Sequence, residues 1–481
     1  MARGFAEVFA GWESFFTLTV MDNRDFGTAL DMMRKAFRSG LTRSYTWRRG
    51  QLLALLRFLS ECKKELSAAV FADLGKSEAE TCLTEISFVA GEIRHALRHL
   101  RRWMRPACKG VPLHYLFGSA AVYPEPHGVV LIIGAWNYPL QLVLAPLVSA
   151  LAAGNCAVLK PSESAPHTSA LLARLAGIYL DRRAVSVVEG GVDETCALLE
   201  YRFDFIFYTG SRSGGREVML AAARKIVPVA LELGGKNPCI IDRDVNLGTA
   251  ARRIVWAKFL NAGQTCLAPD YLLVHQDVEE GLLRYMYQAV IDFYGSDPAL
   301  SPDYSRIVND RHFTRLEQLV HGGNVVFGGQ CDRASCYIAP TILRETGESP
   351  IMQEEIFGPL LPVLSYETID QALAFIEERN NPLAVYLFSS CRATKNRVLH
   401  ETRSGSFCCN DLLFQSAIHS LPFGGSGASG FGRYHGQAGF ETFSSSRSVL
   451  FKTFFPDPGL RYPPYGPEKF SVLKSIVRFF G

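Results

Sequence analysis

Four stretches of the sequence hold residues whose types and neighbours can do chemistry. Cys266 lies in Asn261-Ala262-Gly263-Gln264-Thr265-Cys266-Leu267-Ala268-Pro269, between a helical pattern and an apolar strand pattern. A loop in that position can present a thiol as a nucleophile; the alternative is an inert core cysteine. Glu232 sits near the end of the apolar run Val229 to Leu233, followed by Gly234 and Gly235. Burial there would raise a carboxyl towards the range of a general base, unless the side chain only caps the next turn. Asn137, in Gly134-Ala135-Trp136-Asn137-Tyr138-Pro139, offers an amide to a developing oxyanion or caps a helix. The run from Phe203 to Gly215 carries a buried strand into a glycine turn and a helix. Amides at Gly210 and Gly215 would face a pyrophosphate at that helix start, or the glycines simply turn the chain. Gly425-Ser426-Gly427-Ala428-Ser429-Gly430 matches G-x-G-x-x-G in letters, but it follows Leu421-Pro422-Phe423 and no strand, so it is not read as a phosphate loop.

These residues need a scaffold, and hydrophobic period supplies one. Residues 25 to 105 read as helices. Among them Arg94, Arg98, Arg101, Arg102 and Arg105 gather mostly on one face, with Ile93, Leu97, Leu100 and Met104 opposite, the pattern of a solvated helix. The proline-rich stretch from Pro106 to Pro126 predicts an extended arm or hairpin. From Gly128 the texture becomes α/β. Strands are predicted at Val129–Ile133, Cys156–Leu159, Val185–Val188 and Phe203–Tyr208, with helices at Leu140–Ala152, His167–Tyr179 and Arg216–Lys225. Buried parallel strands with crossover helices imply a Rossmann-like open sheet that binds its ligand at the strands' carboxyl ends. A second α/β unit follows Pro228, with strands at Val229–Leu233, Cys239–Ile241 and Tyr271–Val274 and a helix at Leu247–Phe259. The end of the chain is predicted to run extended through Pro456 to Pro467 and then to form an amphipathic segment, in which Phe470, Val472, Leu473, Ile476, Val477, Phe479 and Phe480 alternate with Lys469, Lys474 and Arg478.

Composition excludes several classes. The chain has 481 residues, 48% hydrophobic and 20% charged, which disfavours disorder and leaves room for two large or three ordinary domains. Lys and Arg number 50 against 47 Asp and Glu, a net +3, so nucleic acid is not expected as a partner. The 12 cysteines show no C-x-x-C and no Cys/His zinc spacing; no metal is expected, and the thiols are read as reduced, in the cytosol. Glu7 and Glu13 interrupt a signal-peptide core, no stretch is long enough to span a bilayer, and neither Ala2 nor the last four residues offer a lipidation site.

Seven motifs in order give a family resemblance: Trp136-Asn137-Tyr138-Pro139, Leu159-Lys160-Pro161-Ser162-Glu163, Tyr208-Thr209-Gly210-Ser211, Leu231-Glu232-Leu233-Gly234-Gly235-Lys236, Gly263-Gln264-Thr265-Cys266, Glu355-Ile356-Phe357-Gly358-Pro359 and Leu421-Pro422-Phe423-Gly424-Gly425. Over residues 25–465 the sequence resembles the aldehyde dehydrogenase superfamily. His435-Gly436 with Gly439-Phe440-Glu441-Thr442-Phe443 looks like its class 3 branch. The resemblance implies a cofactor-binding domain over 21–107 and 128–231, a catalytic domain over 232–434, an oligomerisation arm from 108–127 and 435–460, and a tail at 461–481. It implies NAD- or NADP-dependent oxidation of aldehydes, medium- or long-chain and lipid-derived, to carboxylic acids. Cys266 would attack, Asn137 and the Cys266 N–H would hold the oxyanion, and Glu232 would activate the deacylating water. Lys160 and Glu163 would contact the adenine ribose, and Glu355 and Phe357 the nicotinamide ribose and ring. Trp136, Gly210, Ser211, Gly215 and Leu233 would complete the cofactor site.

Two positions depart from the family pattern: Arg212 stands where a small residue is common, and Gly214 where an apolar one is usual. A homodimer is implied, in the cytoplasm, with the tail as a candidate peripheral contact to membranes or lipid droplets. Two other readings compete, one an enzyme and one not. Transfer of the thioester to coenzyme A is disfavoured by Glu232, and a degenerate scaffold or aldehyde-binding paralogue is disfavoured by the intact Cys266, Glu232 and Asn137.

Overall fold

A computed structural model describes residues 26–111, 118–455 and 457–480. Residues 1–25, including the start of the 21–107 segment, and residues 112–117 of the arm lie outside the described residues. Two sheets form the body. The first runs Gly430–Phe431, Val229–Leu233, Phe205–Gly210, Val129–Ile133, Cys156–Lys160, Val185–Val187. Its last five strands are mutually parallel, and Gly430–Phe431, from within the 232–434 range, adds an antiparallel edge with Gly430 opposite Glu232.

Val129–Ile133 and Cys156–Lys160 are buried along their whole length, which is why they read as unbroken apolar runs. Helix Gln141–Ala153 is apolar almost all round and buried at every position after Gln141, as a helix packed on both sides must be. The chain order of the strands reverses between Val129–Ile133 and Phe205–Gly210, and the crevice beyond their carboxyl ends is where an open α/β sheet binds ligands.

The second sheet has seven strands, in the order Val325–Phe327, Thr341–Arg344, Leu360–Tyr366, Tyr271–His275, Pro238–Ile241, Ala384–Phe388, Ser406–Cys409. All its pairings are parallel except the first. The arm is a separate antiparallel sheet of Ala107–Lys109, Gly118–Pro126 and Ser444–Lys452, the last two paired from Ser444 opposite Pro126 to Lys452 opposite Gly118. The five arginines lie exposed on or just beyond helix Ser87–Trp103. The segment after Tyr462 becomes helix Pro467–Phe480, with Leu473 and Ile476 half-buried and the other apolar side chains described there outward. Among the described residues no helix is long and apolar enough to cross a membrane.

One element begins earlier than its periodicity suggests. The helix predicted from Arg216 starts at Arg212, because Ser211 caps it by accepting the Gly214 N–H at 3.2 Å. The Gly215 N–H is therefore spent on the Ser211 carbonyl at 2.9 Å and is not presented to an anion. Gly215 instead permits close packing: a Cβ there would lie 2.7 Å from Leu233 Cδ2.

Candidate active site

Cys266 is placed by a tightly bonded loop. After helix Leu247–Phe259 the backbone passes through positive φ at Asn261 (51°), Ala262 (50°) and Gly263 (75°). Such a path is costly for the two non-glycine residues and persists only where its surroundings fix it. Here Gln264 fixes it, donating from Nε2 to the Arg306 carbonyl at 3.0 Å and accepting the Val308 N–H at 3.0 Å. Asn237 secures the far side, donating to the Cys266 carbonyl at 2.8 Å and the Ala268 carbonyl at 3.0 Å. Cys266 itself is half-buried. Burial first, then the charges of Glu355 and Glu232, push its thiol up to about 12.

Asn137 ends the turn that follows Val129–Ile133. It is not a helix cap, since the next helix begins at Gln141. Its Nδ2 donates to the Gln264 carbonyl at 3.0 Å, which ties it to the cysteine loop, and the Tyr138 hydroxyl pairs with Thr265 Oγ1 at 2.7 Å. Glu232 is 4% exposed on strand Val229–Leu233, and among the described residues neither carboxylate oxygen has a hydrogen-bond partner at ordinary distance. Burial raises its pKa well above the usual carboxylate range, against the pull of Arg433. It does not cap the turn after its strand. Gly424 makes room for it, because a Cβ there would come 2.8 Å from Glu232 Oε1. The G-x-G-x-x-G segment thus walls this carboxylate: Gly427–Ser429 is a single 3₁₀ turn leading into the edge strand at Gly430.

Two cavities meet at the sulfur. The first, about 350 Å³, brings together Trp136, Asn137, Gly210, Ser211, Glu232, Leu233, Cys266, Glu355 and Phe357. The second, about 320 Å³, is walled mainly by apolar side chains, among them Leu83, Phe88, Trp256, Leu260, Leu413 and Phe414. Cys266, Leu142, Phe423 and Tyr434 line both. A nucleophile at such a junction can meet one reactant from each side.

The first cavity suits the nicotinamide end of a dinucleotide. It lies at the sheet's switch point. Trp136 and Phe357 meet edge to face at 5.3 Å as its aromatic wall, and Glu355 accepts the Gly235 N–H at 3.0 Å. Burial, reinforced by Asp270, raises the Glu355 carboxyl to about 7. Lys160 and Glu163 lie outside this cavity, at the end of strand Cys156–Lys160. Lys160 is 1% exposed, donates to the Pro161 carbonyl at 2.7 Å and stands 3.7 Å from Glu163. Gly215 also lies outside it. Arg212 and Ser213 line an adjoining cavity with Lys236 and Glu355.

Arg311, His312 and Arg315 line the first cavity and were not singled out from the sequence. His312 packs 5.1 Å from Trp136 and is held down to about 4 by burial, then by Arg315 and Arg311. Their spacing on helix Asp310–His321 looks like that of any solvated basic face, so the sequence carries no local signal for them.

Comparison with known proteins places the chain in a family. The sequence profile of the aldehyde dehydrogenase family matches residues 11–449. Aldehyde dehydrogenase family 3 member B1 of Homo sapiens is 47% identical over 93% of this chain and 96% of its own length. Family 3 member A2 of Mus musculus is 48% identical over 92% and 93%. Among solved structures, Staphylococcus aureus AldH in a substrate-bound state superposes with a TM-score of 0.92 at 41% identity, over 94% of this chain and 99% of that one. An NAD-dependent aldehyde dehydrogenase from Sinorhizobium meliloti gives 0.83 at 28%, over 91% and 89%. The chain belongs to the aldehyde dehydrogenase family, on its class 3 branch, and is an NAD(P)-dependent enzyme that oxidises aldehydes.

Proposed function

We propose that this enzyme oxidises apolar, medium- or long-chain aldehydes to carboxylic acids, with Cys266 as nucleophile, Asn137 as oxyanion donor and Glu232 as base. The observation that carries the reading is the position of Cys266 at the meeting of a mainly apolar cavity and a polar-edged one. An alkyl chain fits the apolar cavity, and its carbonyl carbon then reaches the sulfur.

In the first stage Cys266, having given its thiol proton to solvent, bonds as thiolate to that carbon, and the carbonyl oxygen, now negative, accepts hydrogen bonds from Asn137 Nδ2 and the Cys266 N–H. The cofactor, when bound, supplies a two-electron hydride acceptor. Trp136, Gly210, Ser211, Leu233, Glu355 and Phe357 would hold its nicotinamide end, and Lys160 and Glu163 its adenine ribose. Loss of hydride from the carbon leaves a thioester on Cys266. In the second stage Glu232 takes a proton from water as the water oxygen attacks the thioester carbon. The C–S bond then breaks to release the acid and restore the sulfur.

Single-turnover absorbance at 340 nm tests these roles. Cys266→Ala should release no hydride while binding cofactor normally, whereas Glu232→Gln should give a hydride burst and then stall. A Glu232→Gln enzyme with no burst, or a Cys266→Ala enzyme within tenfold of wild type, would refute the assignment.

We also infer that the arm is the contact of a homodimer, since Leu450, Phe451, Phe454 and Phe455 lie exposed on and beyond its last strand. The enzyme is read as cytoplasmic, with helix Pro467–Phe480 touching a lipid interface. Phe470, Val472 and Val477 are exposed among Lys469, Lys474 and Arg478, a composition suited to a headgroup boundary. Deleting 468–481 should release the protein from the membrane fraction with short-chain turnover intact. Unchanged partition with an altered long-chain KM would place the helix over the substrate entrance instead.

A further inference from the structure

Two buried charges have no part in the reaction just described. The side chains of Lys76 and Glu85 are both 0% exposed, with Nζ 2.8 Å from Oε1. Removing two such charges from water costs about as much as their mutual attraction returns, so a buried pair is weak evidence for stability. Its polar atoms act instead through what they hold.

All of those contacts converge on one turn. Lys76 Nζ donates to the Asn137 carbonyl at 3.1 Å and lies 4.1 Å from the centre of the Tyr138 ring. Glu85 Oε2 accepts the Leu140 N–H at 2.8 Å and the Gln141 N–H at 3.3 Å. These amides open helix Gln141–Ala153, where donors lack intrahelical partners and the helix dipole favours an anion. The pair therefore grips the turn at its entry carbonyl and its exit amides, with Asn137 at the entry. Asn261 adds a second hold on the same carbonyl, donating from Nδ2 at 2.7 Å. The Asn137 side chain gives one N–H to Gln264; its other N–H has no partner among the described residues.

The backbone that delivers Glu85 is itself unusual. Cys82–Ile86 runs as a π-helical turn between Glu78–Thr81 and helix Ser87–Trp103. A π-turn inserts an extra residue into the helical phase and recurs at functional sites. Here it buries Glu85 against the Asn137 turn while Leu83 and Thr84 line the apolar cavity.

We propose that Lys76 and Glu85 are positioning residues for the reaction: clamped on both ends of the 137–141 turn, they aim the Asn137 amide at the oxyanion formed on the Cys266 adduct. The proposal rests on the oxyanion role of Asn137. A donor displaced by about 1 Å loses on the order of a hundredfold in rate, so the clamp acts on the first chemical stage and not on cofactor binding.

The test is the rate of the first hydride release, per titrated Cys266 thiol, in Lys76→Gln, Asn137→Ala and their double variant, with cofactor affinity followed by tryptophan fluorescence. The expected result is a loss of about tenfold or more in Lys76→Gln, cofactor affinity within twofold of wild type, and a double variant no slower than Asn137→Ala alone, because the two act through one amide. A wild-type first turnover in Lys76→Gln, or losses that multiply in the double variant, would overturn the proposal. Glu85→Gln, which keeps side-chain size and removes the charge, runs the same cycle if Lys76→Gln does not fold. A wild-type rate in Asn137→Ala would remove the oxyanion reading itself, an outcome distinct from a slow Asn137→Ala beside an unaffected Lys76→Gln.

Discussion

In the roles proposed for them Cys266 and Glu232 must each lose a proton to act, and burial favours the protonated form of both. Burial drives each, and for the thiol the charges of Glu355 and then Glu232 add to it, pushing it up to about 12. The Glu232 carboxyl is raised by burial, and the Arg433 cation only partly offsets this. The sign follows directly. The reactive form of each group grows as pH rises towards its raised pKa, so hydride release and thioester hydrolysis should both accelerate from pH 6 to pH 9. In Glu232→Gln the hydrolytic limb should flatten, since the ionising base is gone. The hydride burst should keep its pH dependence, because the ionisation of the Cys266 thiol that it follows is still present. Stopped-flow bursts across that range check this, and a burst rate flat with pH would contradict it.

At the scale of elements, Gly215 shows how a correct motif can carry a wrong local reason. Its φ is ordinary, and it sits inside helix Arg212–Lys225 with its N–H already used. What it supplies is distance, since a Cβ would meet Leu233 Cδ2 at 2.7 Å and Leu233 lines the cavity proposed for the cofactor. Gly215→Val should therefore push the helix or Leu233 aside, costing about 1–3 kcal/mol in stability and raising the cofactor KM by about tenfold, while the number of titratable Cys266 thiols stays the same. An unchanged cofactor KM would show that the helix can move without disturbing Leu233.

The same element shows what a sequence can reveal. Strands such as Val129–Ile133 were legible because both faces are buried and every residue is apolar. The true start of the glycine helix was not, because it depends on a single Ser211 cap that propensity does not weigh. Cys266, Glu232 and Asn137 were visible as types in context. Lys76 and Glu85 were not, because a lysine and a glutamate nine residues apart look solvated until a π-turn and a distant helix start bring them inside.

Across the whole molecule the site lies where two cores meet. One core comes from residues between Cys239 and Leu413, the other from the first sheet and its helices, and Phe423 packs against both. His435 stands at this seam, 2% exposed, with neither ring nitrogen partnered among the described residues. Its ring meets Phe88 at 5.1 Å, Phe423 at 5.2 Å and Tyr434 at 4.2 Å. Burial depresses it to about 4, opposed by Glu92 and assisted by His419, the two of which pair at 2.9 Å. A folded-state pKa below the unfolded value of about 6.5 means that the native protein binds fewer protons there than the unfolded chain does. The stability this contributes is complete above pH 6.5 and is lost as pH falls to about 4, a loss of about 3 kcal/mol for a fully buried ring. His312, depressed to about 4 by burial beside the cofactor cavity, adds in the same direction, and so does Glu92, whose carboxyl is held low by its hydrogen bond from His419 against the cost of burial. The enzyme should therefore melt at progressively lower temperature between pH 6.5 and pH 4. His435→Phe, which cannot take up the proton, should show a smaller fall over that interval even if its melting point at pH 7.5 is lower. Equal acid-induced falls in the two proteins would assign the effect to His312 and the carboxylates in place of the His435 ring.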